Sequence, residues 1–476
     1  MIKFNQIAFL IEIMDNLKKE DKISEIFITN KYSSVKYDVM TIYPGHTFTN
    51  IENIFLDLFK DNKINVLNIK ENQNETDTTF PSSYKLIGIR RTKKKRILLN
   101  NSSYNFKRLI IYMLQNRLQV SFLGTGIPSY KKFLFKIFGI EVIELKKIKE
   151  IKFEKKYDLK LNFYFKNIDI SDLLKQQLEK STNYLFDLEK KSEALENYFN
   201  ISQVKLVITN SNRDIGGILI ENADKKKIKS LMISHGTISK SFNSIDEIYK
   251  KIIAEGVFSG KASFYAVQSK ITQNSLETHK LTGKPLLTGN LIFAEKNKYS
   301  KPKKTKCLYA VTNKPFSAMQ LFGLEMYYEF FNNLKDLENF SKNNSYHFQV
   351  HLHPGAQNCL PLLSSRFKNL NFTFGKIEKS LKNTSVTLSY SSTVIEDSLH
   401  YKVPVILFDL KKRYKHCDSE INPNKLNKSI YYINNLKNLK ECIKTIENSN
   451  QINFDDHIYF EESKKNIKKL FADLVT

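Results

Sequence analysis

Four short polar stretches in the second half of the chain carry residue types suited to holding a phosphate. They are Thr312-Asn313-Lys314, His353-Pro354, Gly375-Lys376 and Ser391-Ser392-Thr393. Each follows an apolar run that predicts a strand: Cys307 to Val311, His347 to Leu352, Phe372 to Phe374 and Ser385 to Leu388. Loops at the C-terminal ends of parallel strands share one edge of a sheet and line its ligand crevice. Gathered there, these residues offer hydroxyls, backbone donors at a helix start, a lysine and an imidazole, a set that fits a nucleoside mono- or diphosphate. His353 would hydrogen-bond the leaving phosphate and stabilise developing negative charge. Alone, a His-Pro pair is as readily a capped strand end, since histidine is often structural. Its place among three other polar loops favours the phosphate role, because candidate groups must converge on one pocket.

The stretch from Ser389 to Asp409, SYSSTVIEDSLHYKVPVILFD, organises this set. Strand, hydroxyl turn, a helix of about eleven residues, Pro404 and a second strand, Val405 to Phe408, make one βαβ unit. Ser391 or Ser392 is expected at the helix N-cap, where free N–H groups and the helix dipole favour an anion. Glu396 stands one turn into the helix, within reach of a ribose or sugar hydroxyl. An ordinary capped helix would show the same pattern.

The first half offers a second group. Val204 to Thr209 predicts a buried strand, followed by the polar loop Asn210 to Asp214 and a helix over Gly217 to Ala223. Ser230 to Ser234 predicts the next strand, with His235-Gly236-Thr237 at its end. Gly236 permits close approach of a ligand, and His235 is suited to a donor phosphate or an acceptor. Asp214, Asp246, Glu247 and Glu255 are the carboxylates near these loops, and any of them suits a general base.

Around these stretches the elements alternate between strand and helix. Early strands are expected at Glu25 to Thr29 and Ile64 to Ile69, with a helix near Asn50 to Lys60 and a loop over Glu71 to Ser83. Arg90 to Arg96 is a dense basic run. Val120 to Leu123 leads into Gly124-Thr125-Gly126, a GxG without the full dinucleotide fingerprint. Tyr130 to Gly139, YKKFLFKIFG, mixes lysines with aromatics. It suits a helix lying in a membrane interface, or one packed on the sheet with lysines at its edge. Lys146 to Lys160 is highly charged and expected to be solvated, and Ser171 to Asn200 predicts a long helix. Lys296 to Lys306 is polar, basic and holds Pro302, as a linker would. An amphipathic helix is expected from about Phe460 to Leu474. The expected division is a first α/β domain over 1–296, a second over 307–455, and a C-terminal segment over 456–476 that packs back on the junction.

With 476 residues the chain exceeds a single ordinary core. Its longest apolar runs fall short of the roughly 18–20 residues a membrane span needs. The N-terminus has no small-residue cleavage site and does not read as a signal peptide. Four cysteines lie far apart with no CxxC pair, so neither a structural zinc site nor a disulfide framework is suggested, and a reducing cytoplasm fits. A net charge of +26 points to a polyanionic partner, unless it reflects only a chain-wide preference for lysine, asparagine and isoleucine. Nucleic acid is not expected, because no RNA-recognition, helix-turn-helix or zinc signature is present. The partner this leaves is an acidic substrate or an anionic membrane surface. The latter would place the chain on the inner face of the plasma membrane. No metal or other cofactor is expected, because helix N-terminal amides, Ser391, Ser392, Lys376 and His353 can hold a phosphate, and no Asp-x-Asp stands at a strand end.

The set SHGTISKSF, YAVQSKITQNS, GKPLLTGN, HLHPG and SYSSTVIEDSLHYKVPVILFD resembles the GT-B glycosyltransferases of bacterial surface polysaccharide synthesis. It is most similar to capsule and lipopolysaccharide enzymes that use CMP-activated acidic sugars. The resemblance runs from about Ile201 to Asp409. It implies an α/β chain of two Rossmann-like domains facing across a cleft, the first binding a glycan or glycolipid acceptor and the second a nucleotide-sugar donor, and an inverting transfer. Bacterial sialyltransferases and polysialyltransferases share an HP motif and a serine motif that bind CMP, matched here by His353-Pro354 and Ser391-Ser392. Their acidic D/E-D/E-G motif supplies the base. Ala254-Glu255-Gly256 keeps one acid of it and makes Glu255 the favoured base by resemblance. The HGT and SYSST elements also resemble CDP-glycerol glycerophosphotransferases. A polyol-phosphate transferase, a sugar-nucleotide 2-epimerase and a basic binding protein are the alternatives.

Overall fold

The computed structural model describes residues 25–29, 65–69, 81–89, 95–100, 107–124, 127–151, 162–165, 167–210, 212, 214–233, 241, 244, 247, 260–267, 269–276, 283–288, 305–310, 323–353, 359–390, 392–410, 415–454, 457, 469, 471 and 472. The chain opens with β1 (Glu25–Thr29), β2 (Asn65–Ile69), β3 (Ser82–Ile87) and β4 (Arg96–Asn100). Helix α1 (Lys107–Gln115), β5 (Gln119–Gly124), α2 (Ser129–Ile137) and β6 (Glu141–Glu150) follow. A small hairpin, β7 (Tyr164–Phe165) and β8 (Ile168–Asp169), precedes the long α3 (Ser171–Ile201). Next come β9 (Val204–Thr209), α4 (Asp214–Lys225), β10 (Lys229–Ile233), β11 (Phe264–Val267), α5 (Lys270–Leu276) and β12 (Lys284–Leu287).

A second series runs β13 (Lys306–Tyr309), α6 (Gly323–Asn344), β14 (His347–His351), α7 (Leu360–Arg366), β15 (Asn371–Thr373) and α8 (Ile377–Leu381). It ends with β16 (Val386–Ser389), α9 (Val394–His400), β17 (Val405–Phe408), β18 (Ile430–Ile433) and α10 (Leu436–Asn448). By internal contacts one compact unit comprises Met1–Lys85, Lys146–Ala194 and Lys314–Glu325. The other comprises Leu86–Leu145, Leu195–Asn313 and Met326–Thr476. In the first, β1 and β2 pair in parallel, and Asp187 of α3 accepts from the Ser82 amide and the Tyr84 hydroxyl.

The second unit holds the architecture that matters for function. One sheet runs β12-β11-β10-β9-β4-β5-β6, with β3 beside β6. The other runs β15-β14-β13-β16-β17-β18, parallel throughout. Counted along the chain, the latter order is 3-2-1-4-5-6, that of a Rossmann sheet. The former, read from β6, has the same order with one more strand at its far edge. Both are therefore Rossmann-like α/β sheets, as expected of the GT-B class. Their strands read as unbroken buried runs, such as VTLS in β16 and VILF in β17, because helices cover both faces of a parallel sheet.

Several local expectations change. β3 begins at Ser82, where a loop was expected to end, and β6 continues to Glu150, inside the stretch expected to be solvated. Only the first half of β6 is buried; its charged half, beside the start of β3, is exposed to solvent. Arg96 ends the basic run of the sequence but is buried in β4, where it ion-pairs with Glu141 of β6. Ser121 and Tyr198 complete that network. Of the C-terminal segment, Lys469, Phe471 and Ala472 are described; Phe471 is buried and stacks on Tyr112 of α1 at 5.8 Å.

Candidate active site

In the C-terminal sheet the chain reverses direction of winding between β13 and β16, which lie side by side. The crevice of an open α/β sheet lies outside the strand C-termini at such a switch point. The hydroxyl turn predicted to bind phosphate follows β16 and so stands at this point.

Helix α9 is shorter than expected, running only from Val394 to His400. Tyr401 and Lys402, the latter at φ +58, end it before Pro404. Thr393 is the N-cap, without a side-chain cap bond, rather than Ser391 or Ser392. The Ser392 hydroxyl instead accepts from the Val394 amide at 3.3 Å, a turn one residue earlier. Ser392 and Thr393 remain half-buried at the mouth of the turn.

Behind the turn lies a buried acid–imidazole group. Glu396 is fully buried, and its Oε1 lies 3.0 Å from Nε2 of His416, itself buried. Among the described residues, Glu396 Oε2 and the fully buried Ser389 hydroxyl have no hydrogen-bond partner. Asp397 is buried beside Glu396. Burial, then the charges of Glu396 and Glu378, push its carboxyl well above the usual carboxylate range. One face of α9, through Ile395 and Leu399, packs into a cluster with Val405, Leu407, Cys417, Ile430 and Phe454. Ile271 of α5 packs against that cluster, so the first series of elements also braces this helix.

The raised Asp397 value carries a stability prediction. An unfolded aspartate titrates near about 3.9. The fold holds the proton more tightly, so this contribution is complete below that pH and is lost as pH rises from about 4 toward the folded value. Asp397→Asn has the same shape and no ionisation to oppose. It is expected to be more stable than wild type at neutral pH, with the gain vanishing at about pH 4. Melting curves of both proteins at the two pH values check this.

On the other side of the switch point, β14 ends at His351, which is buried. Its Nε2 lies 3.2 Å from the Gly375 carbonyl, and its Nδ1 lies 3.2 Å from Ser380 Oγ and 3.3 Å from Thr373 Oγ1. Burial lowers its pKa, against opposing effects of the Gly375 carbonyl and Glu378. The neutral ring with a proton on Nε2 satisfies these partners: it donates to the carbonyl and accepts from a hydroxyl. His351 thus fastens the loop that presents Gly375 and Lys376, both exposed. Gly375 adopts φ +96, a conformation that favours glycine. Lys376 caps α8 through its backbone only. His353, two residues past the strand, is half-buried.

The described residues therefore set His353, Gly375, Lys376, Ser392, Thr393 and Glu396 on loops or helix starts that follow β14, β15 and β16. Asp214 is exposed at φ +50 and opens α4, directly after β9. In its own sheet β9 and β4 form the switch point, so Asp214 follows a switch-point strand too. His235, Gly236, Thr237, Glu255, Thr312, Asn313, Lys314, Pro354 and Ser391 lie outside the described residues. The sequence reading missed His416, Asp397 and the fastening role of His351. A signal for the last was present, since HFQVH alternates two histidines with apolar residues on one strand. Among the described residues no cluster of metal-ligating side chains is present.

No protein-family model and no curated protein matches this chain. Solved structures of similar course do. UDP-GlcNAc 2-epimerase from Methanocaldococcus jannaschii, in complex with UDP-GlcNAc and UDP, is 14% identical, with 79% of this chain and 98% of that one covered, at TM-score 0.44. S. aureus MnaA with UDP is 11% identical over 80% of this chain and 97% of that one, at TM-score 0.44. S. aureus TarM, in the structure of its G117R mutant with fondaparinux, alpha-GlcNAc-glycerol and UDP, is 10% identical over 80% and 97%, at TM-score 0.41.

Proposed function

We propose that this chain is a metal-independent glycosyltransferase that takes a sugar from a nucleotide-activated donor, with a CMP-activated acidic sugar as the best-fitting class, and passes it to a glycan or glycolipid. The observation that carries this reading is the hydroxyl turn and the buried Glu396 behind it, at the switch point of a sheet with Rossmann strand order. The turn hydroxyls and backbone amides suit a phosphate. A buried carboxylate oxygen without a partner suits a ribose hydroxyl, which would satisfy it. Lys376 and His353 would stand by the departing phosphate, one as a fixed charge and one as a hydrogen-bond donor. The acceptor side falls to Asp214, His235, Gly236 and Thr237, with Glu255 as the base that removes the acceptor proton.

The test is a thermal-shift panel with CMP, CDP, UDP, GDP and ADP on wild type and Ser392→Ala. A ligand near one hundred times its dissociation constant stabilises the native state by about 2.7 kcal/mol. A rise of several degrees with CMP or CDP, lost in Ser392→Ala, is expected. A response to UDP alone overturns the cytidine donor. Donor turnover without any acceptor would make the chain an epimerase instead. No response to any nucleotide overturns the enzyme reading.

A further inference from the structure

Helix α2 is an anomaly of packing. None of its residues is buried. Phe135 touches the protein, with its ring 5.2 Å from that of Phe122 in β5, and Lys132 pairs with Glu144 of β6 at 2.7 Å. Those two residues stand three apart, on one face. The opposite face carries Tyr130, Phe133, Leu134 and Ile137, at spacing i, i+3, i+4, i+7. They are 64%, 65%, 46% and 61% exposed, and Phe138 just beyond is 60% exposed. On a helical wheel the four fill an arc of about 100°, centred roughly opposite the anchored side. Lys131 and Lys136, both exposed, flank the arc on its two sides. The helix has no acidic residue.

Contiguous exposed apolar surface of this kind marks an interaction site. We propose that α2 is a membrane-interface helix, through which this chain docks on an anionic lipid bilayer with its apolar stripe among the acyl chains and its two bordering lysines at the headgroups. The occupant follows from charge and shape. A one-sided stripe edged by cations is the form an interfacial helix takes. A second copy of this chain would bring lysine against lysine on molecules of net charge +26. The helix is short, yet the fold already holds it formed, so binding need not supply the cost of ordering it. Among the described residues no helix is long and apolar enough to cross a membrane, so α2 would lie on the surface rather than span it. The inference stands apart from the donor chemistry proposed above.

The test is cosedimentation of the full chain with vesicles of phosphatidylcholine alone, or with phosphatidylglycerol added. Wild type should bind the anionic vesicles and bind less as salt is raised. The exposed pair Phe133→Ser with Ile137→Ser, and separately Lys131→Glu with Lys136→Glu, should each weaken binding by about tenfold or more. The control Lys437→Glu with Lys440→Glu makes the same charge change on the exposed face of α10 and should leave most binding intact. Absence of wild-type binding overturns the proposal, as does equal loss in all charge variants, which would mean unspecific attraction. A dimer in sedimentation equilibrium that Phe133→Ser with Ile137→Ser dissolves would reassign the face to a second copy.

Discussion

Glu396→Gln is expected to weaken nucleotide binding by one to two orders of magnitude while the melting temperature stays close to that of wild type. The side chain is fully buried on α9, with Oε1 bonded to His416 and Oε2 without a partner among the described residues. Glutamine keeps the shape and keeps a carbonyl oxygen for the His416 bond. It replaces the second carboxylate oxygen with an amide nitrogen, which cannot accept a bond from a ribose hydroxyl. Hydrogen bonds to charged groups contribute about 1.5–3 kcal/mol, or roughly 10–100-fold in affinity. Glu396→Ala makes the contrast: it strips the His416 bond as well, so stability and binding should fall together. Titration of CMP by calorimetry, beside a melt of each variant, separates the two roles. Wild-type affinity in Glu396→Gln would reduce Glu396 to a structural partner of His416 and remove the ribose contact from the proposal.

How far such a site can be read in advance depends on the range of the interactions that build it. The strand–turn–helix–strand order around Ser391 was legible, because continuous apolar runs and Pro404 are local signals. The long helix Ser171–Ile201 was legible for the same reason. The side-by-side placement of β13 and β16 was not, since strand order is set by tertiary packing. The cap also moved: short side chains such as Ser and Thr compete for neighbouring amides, so a run of hydroxyls leaves the helix start undetermined by a residue or two. His416 lies twenty residues beyond Glu396 in irregular chain, where no periodicity points to it. β18 and α10 went unread because IYYI and the helix after it sit in a stretch dominated by lysine and asparagine. The helix did carry signals: Leu436, Leu439, Cys442, Ile443 and Ile446 recur at helical spacing, and Asn435 caps it by accepting from the Asn438 amide. The two environments open to α2 were both legible in YKKFLFKIFG. Which face is anchored depends on Phe122 and Glu144, on the neighbouring strands β5 and β6.

Arg96 shows the same lesson in the other direction, and it carries the largest stability effect expected in this chain. A basic run reads as solvated surface, yet its last member starts a strand and is 3% exposed. The partner charge starts another strand: Glu141 opens EVIEL and is buried too. β5 separates the two strands, and its Ser121 hydroxyl bonds Glu141 between them. Tyr198 of α3 donates to Glu141 at 3.3 Å and lies 3.3 Å from an Arg96 nitrogen. Removing one charge from such a group strands the other away from water. Glu141→Leu is therefore expected to cost about 3–5 kcal/mol, well beyond an ordinary core substitution. Arg96→Met added to it removes the stranded charge, and the double variant is expected to recover most of the loss, because apolar side chains of similar volume often replace a buried pair with little net change. Denaturant melts of the two single variants and the double variant give the coupling directly. Additive losses would mean that the pair is not coupled and that each residue contributes through packing alone. Strong recovery would show that the pair itself adds little net stability, and that most of the loss in each single variant is the cost of one charge left buried without its partner.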